Sequence, residues 1–147
     1  MDTLLTTIVL WLSINFALPA NFEHPKIEFL NESQMSALRY GSLLGTKPVD
    51  GSDSPRSGVV AVYHHASRTI YLPVGWKGDT PAELSVLVHE LVHHLQTAGG
   101  VRFECPQQRE QIAYQAQDRW LRLFDSDLAR EFEIDSFTLK VLTACGY

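Results

Sequence analysis

The segment Thr80–Gly100 (TPAELSVLVHELVHHLQTAGG) constrains the fold of this chain more than any other. The Thr80 hydroxyl can cap a helix, and Pro81 suits the first helical position because an amide hydrogen there would go unpaired. Glu83 completes a capping box. Leu84, Leu87, Val88, Leu91, Val92 and Leu95 then recur at helical spacing, and Gly99–Gly100 offer a left-handed stop. The apolar residues occupy most of the circumference. Such a helix has to run through the middle of the fold, with the rest of the chain arranged around it.

Into that apolar helix the sequence places His89, Glu90, His93 and His94. Burying such groups unpaired costs roughly a few kcal/mol, so they call for partners. His89 and His93 are four residues apart, which puts their Cβ atoms about 5–6 Å apart on one face. Two imidazoles at that spacing can reach one zinc ion at about 2.0–2.1 Å each. Glu90 is turned away from the pair by about 100°. It is poorly placed to bind the ion but well placed to reach a water on its open side. The spacing is His-Glu-x-x-His, with a role for each position. His94 falls on another face and reads as a solvent-facing or supporting histidine.

Catalytic zinc usually has three protein ligands, so one is still owed. The metzincin continuation requires Gly at position 96 and His or Asp at 99; here these are Gln96 and Gly99, which excludes it. A glutamate from a following helix is the other solution, and Glu104, Glu110, Glu131 and Glu133 are available. Glu104 falls in a connection, and Glu131 and Glu133 lie far along the chain. Glu110 sits in the first turns of a helix expected from about Pro106 to Phe124, and the small Ala113 on the same face lets two helices approach closely. Glu110 is therefore the expected third ligand. A carboxylate favoured by the helix N-terminus is the simpler alternative.

The chain's 147 residues, 45% of them hydrophobic, suffice for a single domain with one core. The net charge of −5 and the absence of a Lys/Arg cluster disfavour a nucleic-acid partner. Residues Leu4–Leu18 are apolar but short for a membrane span and interrupted by Thr6, Thr7, Ser13 and Asn15. No basic residue precedes them, as a signal peptide would have. Leu5, Ile8, Leu12 and Phe16 recur at helical spacing, so a buried helix is favoured over a cleaved leader. The compartment stays open between cytoplasm and export.

Pro25–Leu30 reads as a strand, Ser33–Leu44 as a helix and Lys47–Gly58 as a loop. Val59–Tyr63 and Thr69–Leu72 form a hairpin across the five-residue turn His64–Arg68. Leu128–Phe132 is a helical turn and Ser136–Thr143 a last helix. Cys105 and Cys145 are either one disulfide tethering the chain's end or two buried thiols. The expected architecture is α+β: a small sheet or hairpin packed on the central His-Glu-x-x-His helix, with further C-terminal helices.

LVHELVHHLQ (87–96), followed by Glu110-Gln-Ile-Ala-Tyr-Gln-Ala-Gln117, resembles the gluzincin zinc metallopeptidases. Within them it is most similar to small, single-domain bacterial metallopeptidases of the minigluzincin kind. The resemblance covers roughly Val59 to Leu123, and its first motif is the more specific. It implies a zincin-like fold, one zinc ion held by His89, His93 and Glu110, Glu90 as general base, and a peptide or protein substrate. It also implies that the hairpin offers an edge strand to which an extended peptide can pair. Many gluzincins carry an Asp four residues after the ligand Glu to support a ligand histidine. This chain has Tyr114 there, and Gln117 or Asp118 one turn on are the substitutes.

Peptide hydrolysis also needs a donor for the developing oxyanion. Tyr114 is the first candidate, with its packing role as the alternative; His64, His65 and Arg68 read better as a polar hairpin turn. Two other functions stay in view: a zinc-holding regulatory or interaction module with little hydrolysis, and a metal-free structural protein.

Overall fold

A computed structural model describes residues 1–39 and 61–146. The central helix forms as its end signals dictate. α3 (Pro81–Ala98) begins after Thr80, whose Oγ1 accepts from the Glu83 amide at 3.1 Å. The Glu83 carboxylate reaches back to the Asp79 amide at 3.0 Å, one residue earlier than in a strict capping box. Every residue from Ser85 to Gln96 is buried. The stop differs in detail from the expectation: Gly99 is right-handed at φ −80° and Gly100 carries the positive φ of 65°. Gly99 instead lets the chain pack closely, since a Cβ there would meet the Leu95 carbonyl at 3.0 Å and the Pro19 ring at 3.1 Å and would push them back by a few tenths of an ångström.

Around α3 lie α1 (Asp2–Phe16), β1 (Lys26–Leu30), α2 (Glu32–Arg39), β2 (Val62–His64), β3 (Thr69–Pro73), α4 (Gln108–Arg122), α5 (Leu128–Phe132) and α6 (Ser136–Thr143). The described residues thus form an α+β fold of six helices and one three-stranded mixed sheet. Its strand order is β1-β3-β2, with β1 parallel and β2 antiparallel to β3. The parallel partner of β3 was not among the expectations. Ile70 and Leu72 of the central strand point into the core. The hairpin is tighter than expected, because His64 belongs to β2. Residues 59–60, the end of the expected second helix and the expected loop at 47–58 lie outside the described residues.

α1 lays Leu5, Ile8, Val9 and Leu12 against the core, and its Trp11 stands edge-on to Trp120 of α4 at 5.2 Å. Phe16 is only partly buried. α4 packs along α3 as the largest contact in the structure. It is shorter than expected at both ends, starting after a turn at Cys105–Gln107 and stopping before Asp125, whose φ is 58°. α5 and α6 have the expected bounds, with Asp127 and Asp135 capping their first turns. Cys105 and Cys145 form a disulfide, tying the start of α4 to the chain's end. Among the described residues, no helix is long and apolar enough to cross a membrane.

Candidate metal centre

α3 and α4 cross so that the first turn of α4 faces the middle of α3, and there three side chains converge. His89 Nε2 lies 2.9 Å from Glu110 Oε2, and His93 Nε2 lies 3.1 Å from Glu110 Oε1. The imidazole rings of His89 and His93 are 4.9 Å apart, nearly perpendicular. The three residues each offer one ligand atom within 4.8 Å of the others, enough to hold a metal ion. His89 and His93 are buried and Glu110 keeps 15% of its side chain exposed, so the group opens to one side.

The surroundings fit a cation. His93 Nε2 lies close to Glu110 without a well-aligned hydrogen bond. Glu90 is completely buried, and its carboxylate forms no well-aligned hydrogen bond, the Tyr63 backbone amide being its weak polar contact. A buried carboxylate without a partner is costly unless positive charge or a bound water compensates it. Burial pushes Glu90 up to about 7, with the His89 and His93 charges only partly opposing and Glu110 adding to the rise. Burial disfavours a charged His93, yet the neighbouring Glu110 charge outweighs it and lifts His93 to about 9. Burial likewise would raise Glu110, but the two histidines hold it far below the usual carboxylate range. The cluster thus favours positive charge between the two imidazoles and the Glu110 carboxylate.

Each ring is also gripped from behind. His89 Nδ1 meets Gln117 Oε1 at 2.9 Å and His93 Nδ1 meets Gln96 Oε1 at 3.1 Å. Of Gln117 and Asp118, Gln117 is the one in contact with a candidate ligand histidine. Asp118 instead caps the Leu128 amide at 3.0 Å and pairs with Arg122. The sequence signal for the Gln96 contact is its place three residues after His93, a spacing at which helix neighbours meet.

Tyr114 is buried with its ring 4.7 Å from that of His89, at 73°. His94 does not face solvent. It is buried, with Nδ1 3.1 Å from the Tyr63 hydroxyl and Nε2 2.8 Å from the Glu23 carbonyl. The carbonyl can only accept, so Nε2 carries the hydrogen and Nδ1 accepts from Tyr63. His94 thereby ties α3 to β2 and to the segment after α1. His64 lies at the hairpin turn with Nδ1 2.7 Å from Ser67 Oγ, and its ring stacks on His65. Of the other glutamates, Glu131 accepts from Ser126 and Glu133 ends α5 in a left-handed conformation.

The fold and the cluster define an α+β protein with a buried His/His/Glu group able to hold a metal ion. The chain belongs to the family described as a domain of unknown function, DUF6647, whose pattern matches residues 1–145. No curated protein and no solved structure matches it.

Proposed function

We propose that this protein is a zinc-dependent metallopeptidase of the gluzincin type, zincin-like in fold, acting on a peptide or protein substrate. The observation that carries this reading is the convergence of His89, His93 and Glu110 beside the fully buried carboxylate of Glu90, which no well-aligned hydrogen bond satisfies. A divalent ion held by that donor set would supply Lewis acidity, making a water more acidic and polarising a carbonyl. The chain's own residues supply the rest. Glu90, lifted towards neutrality, can accept a proton from the attacking water and deliver it to the leaving nitrogen. β2 lies at the edge of the sheet and packs on α3, so an extended peptide paired to it would run beside Glu90. Tyr114, whose ring stands edge-on to that of His89, is the residue proposed to serve the oxyanion.

The test is a zinc analysis of the purified protein followed by a peptide-library cleavage assay with wild type and Glu90→Gln. The expected result is one zinc per chain in both and at least about a hundredfold slower cleavage in the variant, in line with loss of a general base. Equal cleavage by Glu90→Gln would sink the mechanism. Full burial of Glu90 favours a second reading, a zinc-holding module with little hydrolysis; zinc retention with no cleavage by either protein would select it.

A further inference from the structure

Neither glutamine behind the metal cluster can turn its amide over. Gln117 Nε2 donates to Ser85 Oγ at 3.2 Å, and Ser85 spends its own proton on the Ala82 carbonyl at 2.7 Å. Ser85 therefore only accepts from Gln117. Gln96 Nε2 donates to the Arg109 carbonyl at 3.1 Å, a group with no proton to give. Each amide oxygen is thus fixed against its histidine and can only accept. It follows that Nδ1 of His89 and of His93 carries a hydrogen, which leaves Nε2 of each, the atom facing Glu110, to bind an ion once it gives up the proton it directs at that carboxylate. Ser85, Gln96 and Gln117 are all buried, so water does not compete for these bonds.

We propose that Gln96 and Gln117 are positioning residues that fix both ligand histidines as neutral Nε2 donors and, being uncharged themselves, keep the centre exchangeable. This rests on the metal reading above. A carboxylate behind an imidazole draws the Nδ1 proton towards itself, makes Nε2 a stronger donor and adds negative charge near the cation. An amide orients the ring without doing either. Glu110 is then the one anionic member of the ligand set, and the ion is held less tightly than carboxylate-backed histidines would hold it. The two supports are not equivalent. A carboxylate at 117 would draw the Ser85 proton off the Ala82 carbonyl, and the charge-assisted bond so formed offsets that loss as a neutral amide's would not, so a carboxylate is tolerated there. At 96 a carboxylate would set oxygen against the Arg109 carbonyl oxygen.

The experiment uses the full chain, stripped with a chelator and titrated with zinc against a chromophoric competitor. Cobalt(II) absorption reports ligand geometry, and a melting curve of each metal-free variant reports folding. Gln117→Leu is expected to weaken zinc binding roughly 10–100-fold and to alter the cobalt spectrum. Gln117→Glu is expected to tighten binding by about tenfold and slow zinc release, whereas Gln96→Glu weakens it. Gln117→Glu keeps the side chain's shape and serves if the leucine variant fails to fold. Variants that melt lower yet keep wild-type zinc affinity and cobalt spectrum would reduce the glutamines to packing and overturn the proposal. So would a Gln117→Glu protein that binds no tighter than wild type. Wild-type protein that takes up neither ion would instead overturn the metal reading on which the proposal rests.

Discussion

Glu90 is held in a place that is costly for a charge, and its titration makes that cost measurable. Its pKa in the folded metal-free chain is about 7, above the ordinary carboxyl value of 4.5. For a group raised in this way, the stabilising contribution is complete below pH 4.5 and is lost as pH rises through 7. Replacing it with a neutral isostere removes the loss. Metal-free Glu90→Gln should therefore be more stable than wild type above pH 7, by roughly 3 kcal/mol, with the difference shrinking towards pH 4.5. Denaturant melts at pH 5 and pH 8 decide it, and an equal difference at both would remove the buried-charge explanation. His93 makes a companion case. Its proton, held to about pH 9 by Glu110, must leave before Nε2 can bind a metal. Apparent zinc affinity should rise about tenfold per pH unit between 6.5 and 9. Calorimetry in buffers of different ionisation enthalpy should show close to one proton released per zinc.

At the scale of elements, α3 could be read from the sequence because its signals are local. Thr80, Pro81 and Glu83 act within one turn, and the His89/His93 pair needs only helical spacing. Glu110 could be placed because it falls in the first turn of the next helix, a short step along the chain. The pairing of β1 with β3 could not, since register between strands so far apart depends on contacts no local pattern encodes. The same holds for His94, whose two partners come from β2 and from the segment after α1. That bracket yields a prediction about elements, not chemistry. His94→Leu would strand the Glu23 carbonyl, costing roughly 1–3 kcal/mol, and would leave the Tyr63 hydroxyl only its Thr97 partner. Because the His94 ring directs both of its nitrogens to Tyr63 and Glu23, away from the three converging residues, the folded variant should keep wild-type zinc affinity. A chelator titration beside a denaturant melt separates the two effects, and a large affinity loss would place His94 in the metal centre.

For the whole molecule, the disulfide connects stability to the site. Cys105 and Cys145 close a loop of sequence separation 40, and both are only partly buried. On a chain-entropy account, a cross-link of that span restricts the unfolded ensemble by about 4 kcal/mol. The native bond also holds the turn that launches α4, since Gln108 donates to the Cys105 carbonyl at 3.1 Å and Glu110 follows in the first turn. α6 packs on α4, so the tether fixes both ends of that contact. Cys105→Ser with Cys145→Ser should therefore lower unfolding stability by up to about 4 kcal/mol. It should also weaken zinc binding, because the helix turn carrying Glu110 is then ordered at the expense of binding. His89 and His93, seated mid-helix in the core, should stay in place. Added zinc is thus expected to recover part of the lost stability, in proportion to the logarithm of its free concentration above Kd. Thermal melts of the double variant across a zinc series measure this directly. If zinc shifts the variant no more than an equal concentration of magnesium does, the disulfide and the metal centre are energetically separate.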